Sequence, residues 1–300
     1  MREPRHLEPV PLGDADVPYS KGLMARALIA TGMSPPRAYE LARRVEGGLD
    51  STGAVDLDRM HELAVEILGD EEGGQAMRRL LRYRELQELD LPIILLVGGA
   101  TGTGKSTIAT EVAYRLGISR VTSTDFVRQT MRAFFSREFM PSIHYSSFEA
   151  GRAVSGMAGE QAVSGFLEQT RNVLVGIQAA IDRVLEEGWS MVLEGVHLVP
   201  GMLPVALERA VLVQCVLNID DPSIHAEHFV VRDVASDGSR RMDKYLSSFD
   251  EIRSIQEFIV RRAHEVGVAV IENEKMERAV GELMELVFSE VEKVQDGEAD

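Results

Sequence analysis

The chain has 300 residues, 45 % of them hydrophobic and 27 % charged, enough to bury a core in one large or two modest domains. Its 32 basic and 48 acidic residues give a formal net charge of −16, which opposes binding to nucleic acid or anionic membranes over most of the surface. An anionic small molecule would need a local basic pocket.

The first 17 residues are proline-containing and aperiodic and are expected to form an extended arm. They lack an apolar signal region, and no later stretch is long and apolar enough to span a bilayer, so a cytoplasmic protein is expected. Residues 18–90 have helical spacing. Gly32 closes a first helix, and Ser34-Pro35-Pro36 opens a second, with a serine cap and proline in the first turn. Helical patterns follow over 56–68 and 74–88.

Leu91-Pro92 marks the boundary to a different pattern. Ile93 to Val97 is short, apolar and rich in β-branched residues, as expected of a buried parallel strand. Gly99-Ala100-Thr101-Gly102-Thr103-Gly104-Lys105-Ser106 comes next and fits G-x-x-x-x-G-K-[ST] without mismatch. Ile108, Val112 and Leu116 then recur on one face of a helix. Strand, glycine loop and helix together predict a phosphate-binding P-loop. Gly99, Thr101, Gly102, Thr103, Gly104 and Thr107 would wrap backbone N–H groups around phosphate oxygens at the positive end of the helix dipole. Lys105 would reach the β- and γ-phosphates, and Ser106 would ligate Mg²⁺.

Strand candidates continue at 120–123, 190–193, 211–218 and 268–271. Helices are expected at 125–134, 160–187, 223–232, 248–265 and 276–293. Such alternation predicts a mostly parallel sheet with helices on both faces. Asp125 follows the second strand, and Arg128 and Arg132 share its helical face. Asp125 is positioned to take an acceptor hydroxyl proton, and the two arginines to clamp a carboxylate or phosphate. The alternative is a helix cap followed by solvated arginines. His144, in a polar loop with embedded aromatics, would cover the acceptor or play a structural part. Met191 to Glu194 is an apolar strand ending in a carboxylate, where a Mg²⁺-binding acid belongs. Beyond Gly195, His197 would bond an anionic substrate or cap the turn. The only cysteine, Cys215, lies in the apolar run from Val211 to Leu217 and reads as a buried thiol, which fits a reducing cytosol. Arg232, Arg240, Arg241 and Lys244 bracket Ser236-Asp237-Gly238-Ser239, a basic turn that reads as a lid. Asn273, past the last strand, is a candidate for the adenine end of a nucleotide pocket.

These residues resemble the 2-phosphoglycerate kinase family. The resemblance covers about Val17 to Asn273. It rests on Gly98 to Thr107, Ser123-Thr124-Asp125 with Arg128 and Met131-Arg132, Pro141-Ser142-Ile143-His144, Val173 to Gly176, and Leu193 to Gly201. It implies phosphoryl transfer from ATP, with Mg²⁺, to the 3-hydroxyl of 2-phosphoglycerate, giving 2,3-bisphosphoglycerate and ADP. It also implies that 18–90 is an ATP-cone-like segment, whose basic opening is present only in part as Ser20-Lys21-Gly22.

The expected fold is α/β. A P-loop kinase domain over 91–294, with a five-stranded parallel sheet in the order 2-3-1-4-5, follows a small helical domain over 18–90; a polar tail closes the chain. Lys105, Asp125, Glu194, Arg240 and Arg241 are the expected catalytic set, and Asp125 or Glu194 is the base. Arg128, Arg132, His144, His197 and Arg232 join Asp125 around a small anionic acceptor. Rival readings are a P-loop kinase for another hydroxy acid or sugar acid, and a nucleotide sensor that transfers nothing. Oligomeric state is left open.

Overall fold

The computed structural model describes residues 10–11, 18–49, 53–88, 91–154, 158–203, 210–235, 242–295 and 297. The expected extended arm and the turn 236–239 lie outside them, apart from Val10 and Pro11 of the arm.

Four helices come first: α1 (Lys21–Ala30), α2 (Pro35–Glu46), α3 (Leu57–Leu68) and α4 (Asp70–Glu88). Local chemistry starts each of them. Ser20 Oγ accepts from Leu23 N, Asp56 accepts from Asp58 N and Arg59 N, and Pro35 occupies the first turn of α2. The sequence pattern places the last helix at 74–88, but α4 begins at Asp70. Gly73 and Gly74 do not break it. A Cβ on Gly73 would fall 2.8 Å from Val65 Cα, so this glycine lets α3 and α4 touch, and Asp70, Glu71 and Glu72 suit the helix dipole.

The sheet follows as β1 (Ile93–Gly99), β2 (Val121–Ser123), β3 (Met191–Glu194), β4 (Val211–Asn218) and β5 (Ala269–Glu272). All pairings are parallel, in the order β2-β3-β1-β4-β5, as the sequence predicts. Crossovers are α5 (Lys105–Leu116), α6 (Thr124–Phe134), α7 (Ala158–Glu186), α8 (Pro222–Ala235), α9 (Met242–Leu246) and α10 (Phe249–Val266), and α11 (Met276–Gln295) ends the fold. Two 3₁₀ turns, Pro141–His144 and Ser147–Ala153, stand where a polar loop is expected. Cys215 sits fully buried in β4, and burial pushes its thiol up to about 12, which leaves it inert.

One apolar cluster joins the N-terminal helices to the sheet. Met24, Leu28, Leu41 and Leu80 share it with Ile108 and Val112 of α5, Leu283 and Val287 of α11, and Val213 of β4. Polar contacts reinforce the junction. Tyr83 Oη donates to Arg115 O (3.2 Å), and Arg82 pairs with Glu285 and Glu292, each at 2.7 Å. On the opposite face, α6 and α7 pack over β1 and β3, while α8 and α10 cover the C-terminal edge of β4.

Candidate active site

The parallel register brings the C-terminal ends of β1, β2 and β3 to one edge. Val97 pairs with Glu194, and Glu194 with Ser123. Open α/β sheets bind ligands at this edge. A cleft of about 670 Å³ lies there. Thr101, Gly102, Gly104, Lys105, Ser106, Thr107, Asp125, Glu194, His228 and Asn273 are among its lining residues.

The glycine loop runs from β1 into α5 as the sequence predicts. Gly102 has φ 91 and Gly104 φ 83, left-handed values that favour glycine. A side chain on Gly102 would also meet the Phe229 ring at 2.5 Å. Thr103 is fully buried and its hydroxyl donates to Ala100 O (3.0 Å), so it closes the loop from inside rather than facing the cleft. Gly99, at the end of β1, lies behind the loop in the same way. Lys105 is 8 % exposed and its Nζ donates to Ala100 O at 2.5 Å. Ser106 Oγ donates to Glu194 Oε1 (3.0 Å). This places two hard oxygen donors together at the start of α5.

Asp125 stands on the other wall, in the first turn of α6, with its side chain 67 % exposed. Partial desolvation in the cleft opposes its ionisation, but the adjacent Arg128 guanidinium, aided by Lys105, outweighs this and holds the carboxyl below its usual range.

The structure gives the other expected residues different places. Arg128 stands behind Asp125. It donates to Asp125 Oδ1 (3.2 Å) and to the carbonyls of Ile143 and Tyr145, both at 2.9 Å. It therefore ties the 3₁₀ turn to α6 and sets the carboxylate. Arg132 is solvent-exposed and bonds Gln129 of its own helix, so the shared helical face does not carry it into the cleft. His144 turns away, its Nε2 donating to Phe135 O (3.0 Å). His197 is fully buried beneath the edge. Gln169 Nε2 donates to Ser142 O and Tyr145 O, which leaves Gln169 Oε1 to accept from His197 Nε2, and His197 Nδ1 then accepts from Thr124 Oγ1 at 2.8 Å. With both nitrogens engaged, His197 braces the site from below. Burial, more than any charge, pushes its pKa down to about 4. Gly195 fits here because a Cβ would overlap Thr124.

Asn273 is 5 % exposed and donates to Thr103 O (2.9 Å), holding the loop. Arg240 and Arg241 lie outside the described residues, and the side chain of Arg232 is likewise outside them. Past that turn, Lys244 pairs with Glu149 (2.6 Å), and Tyr245 stacks on Phe229 at 5.0 Å, so α9 is anchored to the body.

Sequence reading gave Thr124 no role of its own and missed Gln169, His225 and His228. Both histidines reach the glycine loop from α8: His225 Nε2 donates to Thr101 O (2.8 Å) and His228 Nδ1 to Gly102 O (3.0 Å). Their spacing of three residues after the strand beside β1 was the available signal.

No protein-family model matches the chain. Curated relatives do. A "2-phosphoglycerate kinase" of Pyrococcus furiosus is 33 % identical over 94 % of this chain and 93 % of its own length. One of Methanococcus vannielii is 36 % identical over 96 % and 94 %. One of Methanothermobacter thermautotrophicus is 38 % identical over 85 % of both chains. Similarity at this level over most of each chain leaves one conclusion: the chain belongs to the 2-phosphoglycerate kinase family.

Proposed function

We propose that this kinase moves the γ-phosphoryl group of ATP to the 3-hydroxyl of 2-phosphoglycerate, releasing 2,3-bisphosphoglycerate and ADP. The enzyme is a phosphotransferase with an alcohol acceptor and acts on 2-phosphoglycerate. The observation that carries the finer reading is one cleft with a phosphate loop on one wall and an exposed, ionised carboxylate on the other.

Backbone N–H groups of the loop and Lys105 hold the β- and γ-phosphates. Asp125 accepts the proton of the acceptor hydroxyl as its oxygen attacks phosphorus and the bond to ADP breaks. Glu194 suits this less, because it already accepts from Ser106 beside the loop. Arg128 keeps Asp125 ionised and aimed.

The pair Ser106 and Glu194 fits Mg²⁺, a hard cation that prefers oxygen and keeps several waters and phosphate oxygens. When bound there, Mg²⁺ supplies charge neutralisation at the phosphates.

Kinase chemistry is assigned to 91–294 and a capping role to 18–90. No helix among the described residues is long and apolar enough to cross a membrane, and the proposed setting is the cytoplasm. Lys105→Ala is the first test. It should cut ADP release with 2-phosphoglycerate by about a hundredfold or more while the far-UV spectrum stays native. Undiminished turnover would overturn the assignment, and transfer to a different hydroxy acid with 2-phosphoglycerate inert would redirect it.

A further inference from the structure

Three consecutive carbonyls of the phosphate loop are each taken by a side chain from outside the loop. His225 Nε2 donates to Thr101 O (2.8 Å), His228 Nδ1 to Gly102 O (3.0 Å) and Asn273 Nδ2 to Thr103 O (2.9 Å). Two come from α8 and one from the residue after β5, so the loop is gripped between elements that follow the two strands on one side of β1.

In a peptide unit the carbonyl and the N–H point in opposite directions. Fixing the oxygens of residues 101, 102 and 103 on these side chains therefore turns the N–H groups of Gly102 and Gly104 to the other side of the loop, towards an anion, while Thr103 N–H reaches Ala100 O at 3.5 Å. An unbraced glycine loop would lose entropy on adopting that shape, because glycine has the most backbone freedom to lose. The brace is itself rigid. His225 is fully buried, stacks on Phe229 at 5.5 Å, and has no bonding partner at Nδ1 among the described residues. It is held as the neutral Nε2–H tautomer, since a second proton would have no acceptor. Phe229 in turn stacks on Tyr245. The fit is tight enough that a Cβ at Gly102 would lie 2.9 Å from His225 Nε2.

We propose that His225, His228 and Asn273 are positioning residues that preset the phosphate loop for the triphosphate of the donor, so that nucleotide affinity depends on them and acceptor affinity does not. The proposal rests on the nucleotide-binding reading of the loop.

The test is steady-state kinetics on the full chain with ATP and 2-phosphoglycerate, for His228→Ala, His228→Asn and His225→Phe. His228 is partly exposed, so its alanine variant folds. His225→Phe keeps the stacked ring and removes the donor. Both His228→Ala and His225→Phe should raise KM for ATP by about fivefold to tenfold, the effect of one lost hydrogen bond, and leave KM for 2-phosphoglycerate unchanged. His228→Asn, which keeps a short N–H donor, should recover most of the loss. An unchanged KM for ATP in His228→Ala and His225→Phe, or equal changes for both substrates, would overturn the brace. Lys105→Ala separates the two readings: if it too leaves ATP binding and turnover native, the loop is not the nucleotide site; if it fails while the histidine variants behave as native, only the brace is wrong.

Discussion

Two carboxylates share the cleft, and their surroundings differ. Asp125 is exposed and kept ionised by Arg128, while Glu194 is 9 % exposed and bonded to Ser106. Asp125→Asn should therefore lower kcat by about a hundredfold with little change in the Mg²⁺ concentration required. Glu194→Gln should chiefly raise that requirement; the reverse pattern from Mg²⁺ titrations would exchange the roles. Two buried histidines make a second prediction. His197 and His225 are both pushed down to about 4 by burial, from an ordinary 6.5. The unfolded chain binds these protons first, so stability is full above pH 6.5 and falls as pH drops towards 4. Each contributes on the order of 3 kcal/mol over that window. Urea unfolding across it should show a slope that His197→Gln flattens by about one proton. An unaltered slope would mean that His197 is already charged in the fold.

Elements were more legible than contacts between them. Every strand was found because buried parallel strands are short apolar runs, and the order followed from the P-loop pattern. The phosphate loop was legible for the same local reason. Arg128 was not, because spacing puts it on the face of Asp125 but says nothing of the turn at Ile143 and Tyr145 that folds back to engage it. His197 was misplaced since a histidine after a strand looks the same buried or exposed; its partner Gln169 arrives from α7, 28 residues away. The start of α4 was missed because Gly73 reads as a breaker until α3 is seen against it. Packing of the N-terminal helices also lies beyond local pattern, and it carries a prediction. Leu28 is fully buried in a cluster shared with α5 and α11. Leu28→Ala should destabilise the chain by about 2–5 kcal/mol. Trp189, the only tryptophan, lies across the sheet in another cluster. Its fluorescence transition should shift as far as the far-UV circular dichroism does; a shift in dichroism alone would make residues 18–90 an independent unit.

At the scale of the whole molecule, the proposed function requires an acidic chain of net charge −16 to concentrate its attraction for anionic substrates at one sheet edge. Helix α5 presents its N-terminus and Lys105 there, and α8 and Asn273 hold the loop by its carbonyls. Asp125 faces the loop from the opposite wall. The N-terminal four helices pack on α5 and α11 in the cluster that reaches β4. This arrangement claims a specific reaction, and the product identifies it. ³¹P NMR of a mixture of ATP, Mg²⁺, 2-phosphoglycerate and the protein is the direct measurement. The expected spectrum gains ADP and two phosphomonoester signals of equal intensity, from phosphates on carbons 2 and 3 of one glycerate. ADP appearing with inorganic phosphate in place of a second ester, or 2-phosphoglycerate remaining unchanged, would contradict the account.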